Sequence, residues 1–452
     1  MRDLLIVSIV GVMAAMALKR PWIGVMLWTW LSIMSPHRYA WGFAYSAPLA
    51  AVAAAVTLLG LFLTRERQSP FQGPPMVWFL LLTLAITFSW LLGMDPAGDY
   101  EQWNKVMKIY FMTFVAAALL FSKHHIIAFA WVSAGSLAVL GVKGGVFTIL
   151  TGGNYRTWGP TGSFIQDNNE FALALIMAIP LLHFLQLQVR KAWVRHGISA
   201  AMLLCAASAL GSHSRGALLA IAAMGAMFWW RSKKKGPIAL MIGVVVLALL
   251  PMMPEHWWSR MDTIRTYEED ASAMGRINAW IVAFEVAKHH FFGAGMSYQH
   301  EILFMLYGVY DQKTLAAHSI YFQILGNHGF IGLFLYLAMW VSAYRMAGWL
   351  NRNARDNPES RWAADLGAMA QVCFVGFAVG GAFLSLSYFD LPYNVMVMVV
   401  LAKRWVVTRA WEREAPVSFL EYAGLRRSKH QQGGPSAVPT PQGSNRTMPV
   451  KT

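Results

Sequence analysis

Charge is scarce in this 452-residue sequence: Asp, Glu, Lys and Arg make up 13% of it, against 57% hydrophobic residues. A soluble domain carries about 25% charged residues. Acidic residues are the scarcer sign, 22 against 37 Lys and Arg. Cysteine is nearly absent. Cys205 and Cys373 both lie inside apolar runs, which excludes a disulfide framework. The chain has no GxxxxGK[ST] phosphate loop, no HExxH and no Asp-x-Asp. Without the last, the usual carboxylate seat for a metal-bound nucleotide sugar is missing, so neither a metal nor another cofactor is expected.

Long apolar runs are abundant. They reach about 15 to 20 residues, near the length that crosses a hydrocarbon core. Continuous runs of this kind exclude a β-barrel, which shows short alternating segments. The chain therefore reads as an all-α polytopic integral membrane protein embedded in a lipid bilayer. Candidate spans fall near residues 3–18, 21–34, 46–63, 76–93, 106–121, 125–142, 168–187, 197–211, 214–230, 237–252, 324–347, 366–386 and 392–407. Because 21–34 is short for a full crossing, the count is twelve or thirteen. The N-terminus lies inside with twelve and outside with thirteen. No signal cleavage site follows the first run, since "KRPW" leads directly into the next.

The net charge of +15 does not point to nucleic acid, because the basic residues sit in short clusters between apolar runs. "VRKAWVRH" (189–196), "RSKKKG" (231–236) and "AKRWVVTR" (402–409) are what the positive-inside rule places in the cytoplasm. No nucleic-acid partner is expected. The segments between them then face outward: 151–170, "GSHSRG" (211–216) and the long stretch from Met253 to about Ile324. That stretch is too long for a bare loop. "ASAMGRINAWIVAFEVAKHHFFGAG" (271–295) within it reads as an amphipathic helix at the outer boundary, stopped by Gly293 and Gly295. Four regions follow: a bundle of about ten spans over 1–252, an outer domain over 253–323, further membrane helices over 324–410, and a cytoplasmic tail over 411–452. The tail is rich in Gly, Pro, Ser and Gln from about Ala415 and is expected to be disordered.

Three residues converge on the outer face. Arg215 lies in the very short "SHSRGALLA" connection, where an arginine so close to the bilayer is a functional candidate; snorkelling is the plain alternative. Arg276, in "AMGRINAW", stands near the start of the outer helix, where free N–H groups and a planar guanidinium suit phosphate oxygens. The alternative is pairing with the acidic run Glu268 to Asp270. His318 opens "AHSIYFQILGNHG", where a polar segment turns apolar, and an imidazole there can exchange a proton near neutral pH. A structural histidine at a helix start is its alternative. His328 reads as structural, and His213 as a weaker competitor. Two arginines and a histidine suit a phosphate-bearing leaving group and an acceptor that loses a proton.

These motifs, in their order, resemble the bacterial O-antigen ligases and the wider ligase/polymerase superfamily: "SHSRGALLA", "AMGRINAW" and "AHSIYFQILGNHGFIGLF", with "YRTWGPTGSFIQDNNEFALAL" (155–175) upstream. The N-terminal part, including "KRPWIGVMLWTWLSIMSPHRYAWGFAY", resembles the exosortase-associated subgroup. The resemblance implies a GT-C-like glycosyltransferase architecture in the bacterial inner membrane, with its active site facing the periplasm. It implies a metal-independent, inverting transfer of a glycan from undecaprenyl diphosphate to a lipid A-core sugar hydroxyl. Arg215 and Arg276 would hold the diphosphate, His318 would be the catalytic histidine and Arg156 a further donor-site residue. The family often shows His-Asn at the histidine, where Ser319 follows here. An O-antigen polymerase, or a ligase acting on protein or exopolysaccharide, would use the same donor. A transporter or flippase is the reading from another class; no repeated halves or mid-bilayer charges favour it.

Overall fold

The structure, a computed structural model, describes residues 1–231, 235–236, 243, 255, 271–309 and 314–414. The expected span at 237–252, the acidic run at 268–270 and the tail beyond 414 lie outside them. Among the described residues every regular element is helical. The helices are α1 (Arg2–Lys19), α2 (Pro21–Met34), α3 (Leu49–Leu63), α4 (Pro74–Leu91), α5 (Tyr100–Leu119), α6 (Lys123–Leu150) and α7 (Asn168–Gln188). They continue as α8 (Ala192–Leu210), α9 (Arg215–Arg231), α10 (Ala271–His289), α11 (Glu301–Tyr307), α12 (Ile320–Asn353), α13 (Arg361–Gly381) and α14 (Asp390–Val407). Each expected span other than 237–252 falls on one of these helices. Six of them (α4, α6, α7, α8, α12 and α13) are long and apolar enough to cross a membrane by length and composition. α2, α3 and most of α9 are apolar but shorter. The protein is a multi-pass membrane protein. Large apolar side chains such as Leu59, Phe62, Leu81, Leu84 and Phe88 stay exposed on α3 and α4, as lipid-facing helices require.

Residues Met1–Ala410 form one compact unit. Its centre is α7, apolar all round, which packs against α6, α8, α9 and α13. Pro180 is tolerated inside this helix because neighbouring helices enclose it. α12 breaks at Gly329, whose φ of 66° is left-handed. Carbonyls released near the break take new donors from the linker after α10: Ala294 N–H to Gly326 O at 3.0 Å, and Gly295 N–H to Asn327 O at 3.0 Å. A Cβ at Gly293 (φ 72°) would stand 2.3 Å from Asn327 O, so only glycine permits this close approach. The kink thereby fastens the segment after α10 to the helix that carries His318 at its start.

α10 ends at His289, four residues before Gly293. Ala279, Val282, Ala283 and Val286 of α10 are buried with Tyr298, Leu303, Phe304 and Ala317. α10 therefore has a core-facing side and packs against α12.

Candidate active site

His318 precedes α12, with Ser319 in the N-cap position. Its φ of 43° lies in the left-handed region, a strained conformation for a residue with a Cβ. Trp280 of α10 fixes the strand of chain beside it: the indole N–H donates to Ala317 O at 2.7 Å, and its ring stacks on Phe322 at 5.0 Å. Arg276 is four residues before Trp280, one turn away on the same side of α10. Its charge reaches His318. Burial holds the His318 imidazole below its ordinary pKa, the Arg276 guanidinium adds to that, and the Asp167 carboxylate opposes it. His318 Nδ1 is buried and has no hydrogen-bond partner among the described residues.

Asp167 is the N-cap of α7, accepting from Asn169 N–H at 2.9 Å. Burial alone would raise its carboxyl; hydrogen bonds from Glu170 and Asn169, with the nearby His318, hold it below the ordinary value instead. Asp167 and Glu170 are carboxyl groups on the cap and first turn of α7. Ser387 Oγ lies 3.1 Å from Ile320 O and 2.8 Å from Gln323 Oε1, so the connection between α13 and α14 closes over the start of α12.

Arg215 is the first residue of α9. The preceding turn is held tightly: Asn168 Nδ2 donates to Ser212 O at 2.6 Å, and His213 Nε2 lies 2.9 Å from Gly153 O. His213 has a φ of 58° and is buried, occupied in bracing the loop between α6 and α7. Gly216 lies against Phe383 and Leu384, bringing the start of α9 to the connection between α13 and α14. Ser214 caps the helix that begins at Arg215, its Oγ accepting from Ala217 N–H at 3.3 Å. Arg276 stands five residues into α10, beyond the first turn where N–H groups and the macrodipole favour an anion. Its contribution is the guanidinium alone. Arg156 is exposed on the α6–α7 loop, and its neighbour Thr157 is bonded to Gly211 O at 3.2 Å and Ser208 O at 2.9 Å.

The motifs with this geometry lie within residues 200–337, which match the O-antigen ligase family model. Residues 200–337 are thus similar to the O-antigen ligases. The match supports a ligase- or polymerase-type function. Residues 1–189 match a family of unknown function (DUF5935). No curated protein matches the chain. Arg215, Arg276 and His318 fall within the O-antigen ligase match, whereas Arg156, Asp167 and Glu170 come from the N-terminal match. The site is built by both.

Sequence reasoning missed Asp167 and Glu170. Their spacing, Asp-x-x-Glu before an apolar run, is a legible helix-capping pattern. Nothing in it announces a partnership with a histidine about 150 residues later.

Proposed function

We propose that the protein transfers a glycan from undecaprenyl diphosphate to a lipid A-core sugar hydroxyl at the periplasmic face of the inner membrane, by inversion and without metal. The observation that carries this reading is His318, within electrostatic reach of the Arg276 guanidinium and the Asp167 carboxylate and with one ring nitrogen unpartnered. Burial and Arg276 favour its neutral form, which is the form able to accept a proton. As the acceptor hydroxyl attacks, its proton passes to His318, and the imidazolium so formed is stabilised by Asp167. Arg276 and Arg215 stabilise the negative charge on the departing diphosphate. Arg156 binds the donor further out.

The test is transfer by the purified protein from undecaprenyl-diphosphate glycan to lipid A-core, in excess chelator, beside His318→Ala. A glycan-lipid product from the wild type alone supports the reading. Only lengthened donor glycan would indicate a polymerase, and strict metal dependence would overturn the mechanism.

A further inference from the structure

A cavity of about 420 Å³ opens beside the site, among the end of α2, the start of α5, the short 3-10 turn Pro36–Tyr39, the 162–165 segment and Phe389–Asp390. Its volume lies in the range that holds small ligands, roughly 300–1,000 Å³. Nearly all of its lining belongs to the N-terminal region, whose matching family has no known function. Arg38, Lys105 and Lys108 line it with positive charge, Glu101 and Asp390 with carboxylates, and Asn104 with an amide.

The cavity's polar groups are largely uncommitted. Arg38 lies over the Tyr45 ring at 5.0 Å, and its side chain makes no hydrogen bond or ion pair among the described residues. His37 also lines the cavity, and its Nδ1 is buried without a partner. Lys105 reaches Gly162 O at 3.3 Å and stands 4.0 Å from the Phe164 ring centroid, leaving donor capacity on the ammonium. Asp390, by contrast, already accepts from Ser32 at 2.7 Å.

We infer that this cavity is a subsite for an anionic sugar unit, phosphorylated or carboxylated, of a glycan substrate. The half-buried guanidinium and the ammonium groups supply donors for an anionic group. Glu101 and Asn104 accept from hydroxyls, and a carboxylate would repel bare phosphate, so the mixed lining suits a sugar that carries an anion. Position supports the same occupant. The segment that forms one wall, Gly162 to Ile165, reaches Asp167 two residues later, and the charge of Asp167 reaches His318. A saccharide reacting at His318 extends its next unit into the cavity. The identity of the ligand rests on the glycan-transfer reading, but the binding does not require transfer.

The experiment is ligand-observed NMR on the full chain purified in detergent, with glucose 6-phosphate, glucuronate, glucose and inorganic phosphate as probes. At least one anionic sugar should bind about tenfold more tightly than glucose. Which of the two binds tells whether phosphate or carboxylate is the recognised group. Arg38→Ala with Lys105→Met should weaken that binding by about tenfold. His318→Ala should leave it unchanged while transfer is lost, which separates this subsite from the catalytic reading. Where the double variant fails to fold, the exposed Lys108→Ala and a fall in wild-type affinity with added salt give the same answer. Equal affinity for glucose, equal affinity for inorganic phosphate, undiminished binding by the folded variants, or no binding of any probe would each overturn the proposal.

Discussion

His318 and His328 stand ten residues apart and are held in opposite ways. His328 is 2% exposed, with Nδ1 2.9 Å from Ser89 Oγ and Nε2 2.6 Å from Tyr388 Oη. Ser89 Oγ also lies 2.7 Å from Phe292 O and 2.8 Å from Asn327 O, and its one proton must serve a carbonyl. His328 therefore donates from Nδ1 and accepts at Nε2, and both nitrogens are occupied. It joins α4, the linker after α10 and Tyr388 around the kink at Gly329. His318 has a strained backbone, two charged neighbours and an unpartnered nitrogen. A satisfied imidazole braces a fold; an unsatisfied one, within reach of opposite charges, can do chemistry.

The largest expected effect separates the two. His318→Ala should lower the transfer rate by about 10²- to 10⁴-fold, the usual contribution of a positioned base, with little change in thermal midpoint. His328→Ala should do the reverse: a clear fall in thermal midpoint, from about 1–3 kcal/mol for each buried partner left unsatisfied, with activity surviving in whatever remains folded. Thermal melts and rates on both variants would break the comparison if His328→Ala were as stable as wild type but inactive.

Next come the arginines. Arg276→Gln and Arg215→Gln should each cost on the order of a hundredfold in rate, the cost of losing one donor to the developing charge. Inorganic diphosphate should inhibit the wild type and inhibit both variants less. A variant with full rate would remove that arginine from the charge-stabilising role.

pH sharpens the comparison, because the neighbours of His318 act with opposite signs. A base must be unprotonated, so kcat/KM falls as pH drops through the pKa of His318. Burial and Arg276 place that limb below the ordinary histidine value of about 6.5. Arg276→Gln removes a lowering influence and should move the limb to higher pH. Asp167→Asn removes a raising influence and should move it to lower pH. Shifts in the same direction, or none, would show that His318 is not the group being titrated.

Much of this was legible in the chain. Apolar runs and their length located the helices, because lipid leaves the backbone no other way to satisfy itself. Even so, α5, α6 and α12 extend six to eight residues past the expected spans at one end. Arg215, Arg276 and His318 stood out because charge is rare here and each interrupts or borders an apolar run. What could not be read was assembly. Asp167 reaches His318 only because α7 packs at the centre of the bundle, and nothing local to "QDNNE" encodes that. The same holds for Arg38, Lys105 and Asp390, which three separate helical segments bring to one cavity. The role of Gly329 was hidden for a different reason: a lone glycine in an apolar run does not reveal that a second segment crosses it.

The smallest effect concerns the α6–α7 loop, which links the two matched regions. Arg156 is exposed, so its attraction for a diphosphate is screened, and Arg156→Ala should cost less than about tenfold, mainly in KM. Thr157 is buried and ties the loop to the turn before Arg215. Thr157→Val keeps the shape but removes the bond to Ser208 O. If the loop merely presents Arg156, this change should give the same modest rise in KM. If the loop also sets the position of Asp167, ten residues further on, kcat should fall as well and the pH limb should move toward that of Asp167→Asn. Steady-state kinetics across pH would tell the two apart, and would show whether the N-terminal region only binds substrate or also holds the base in place.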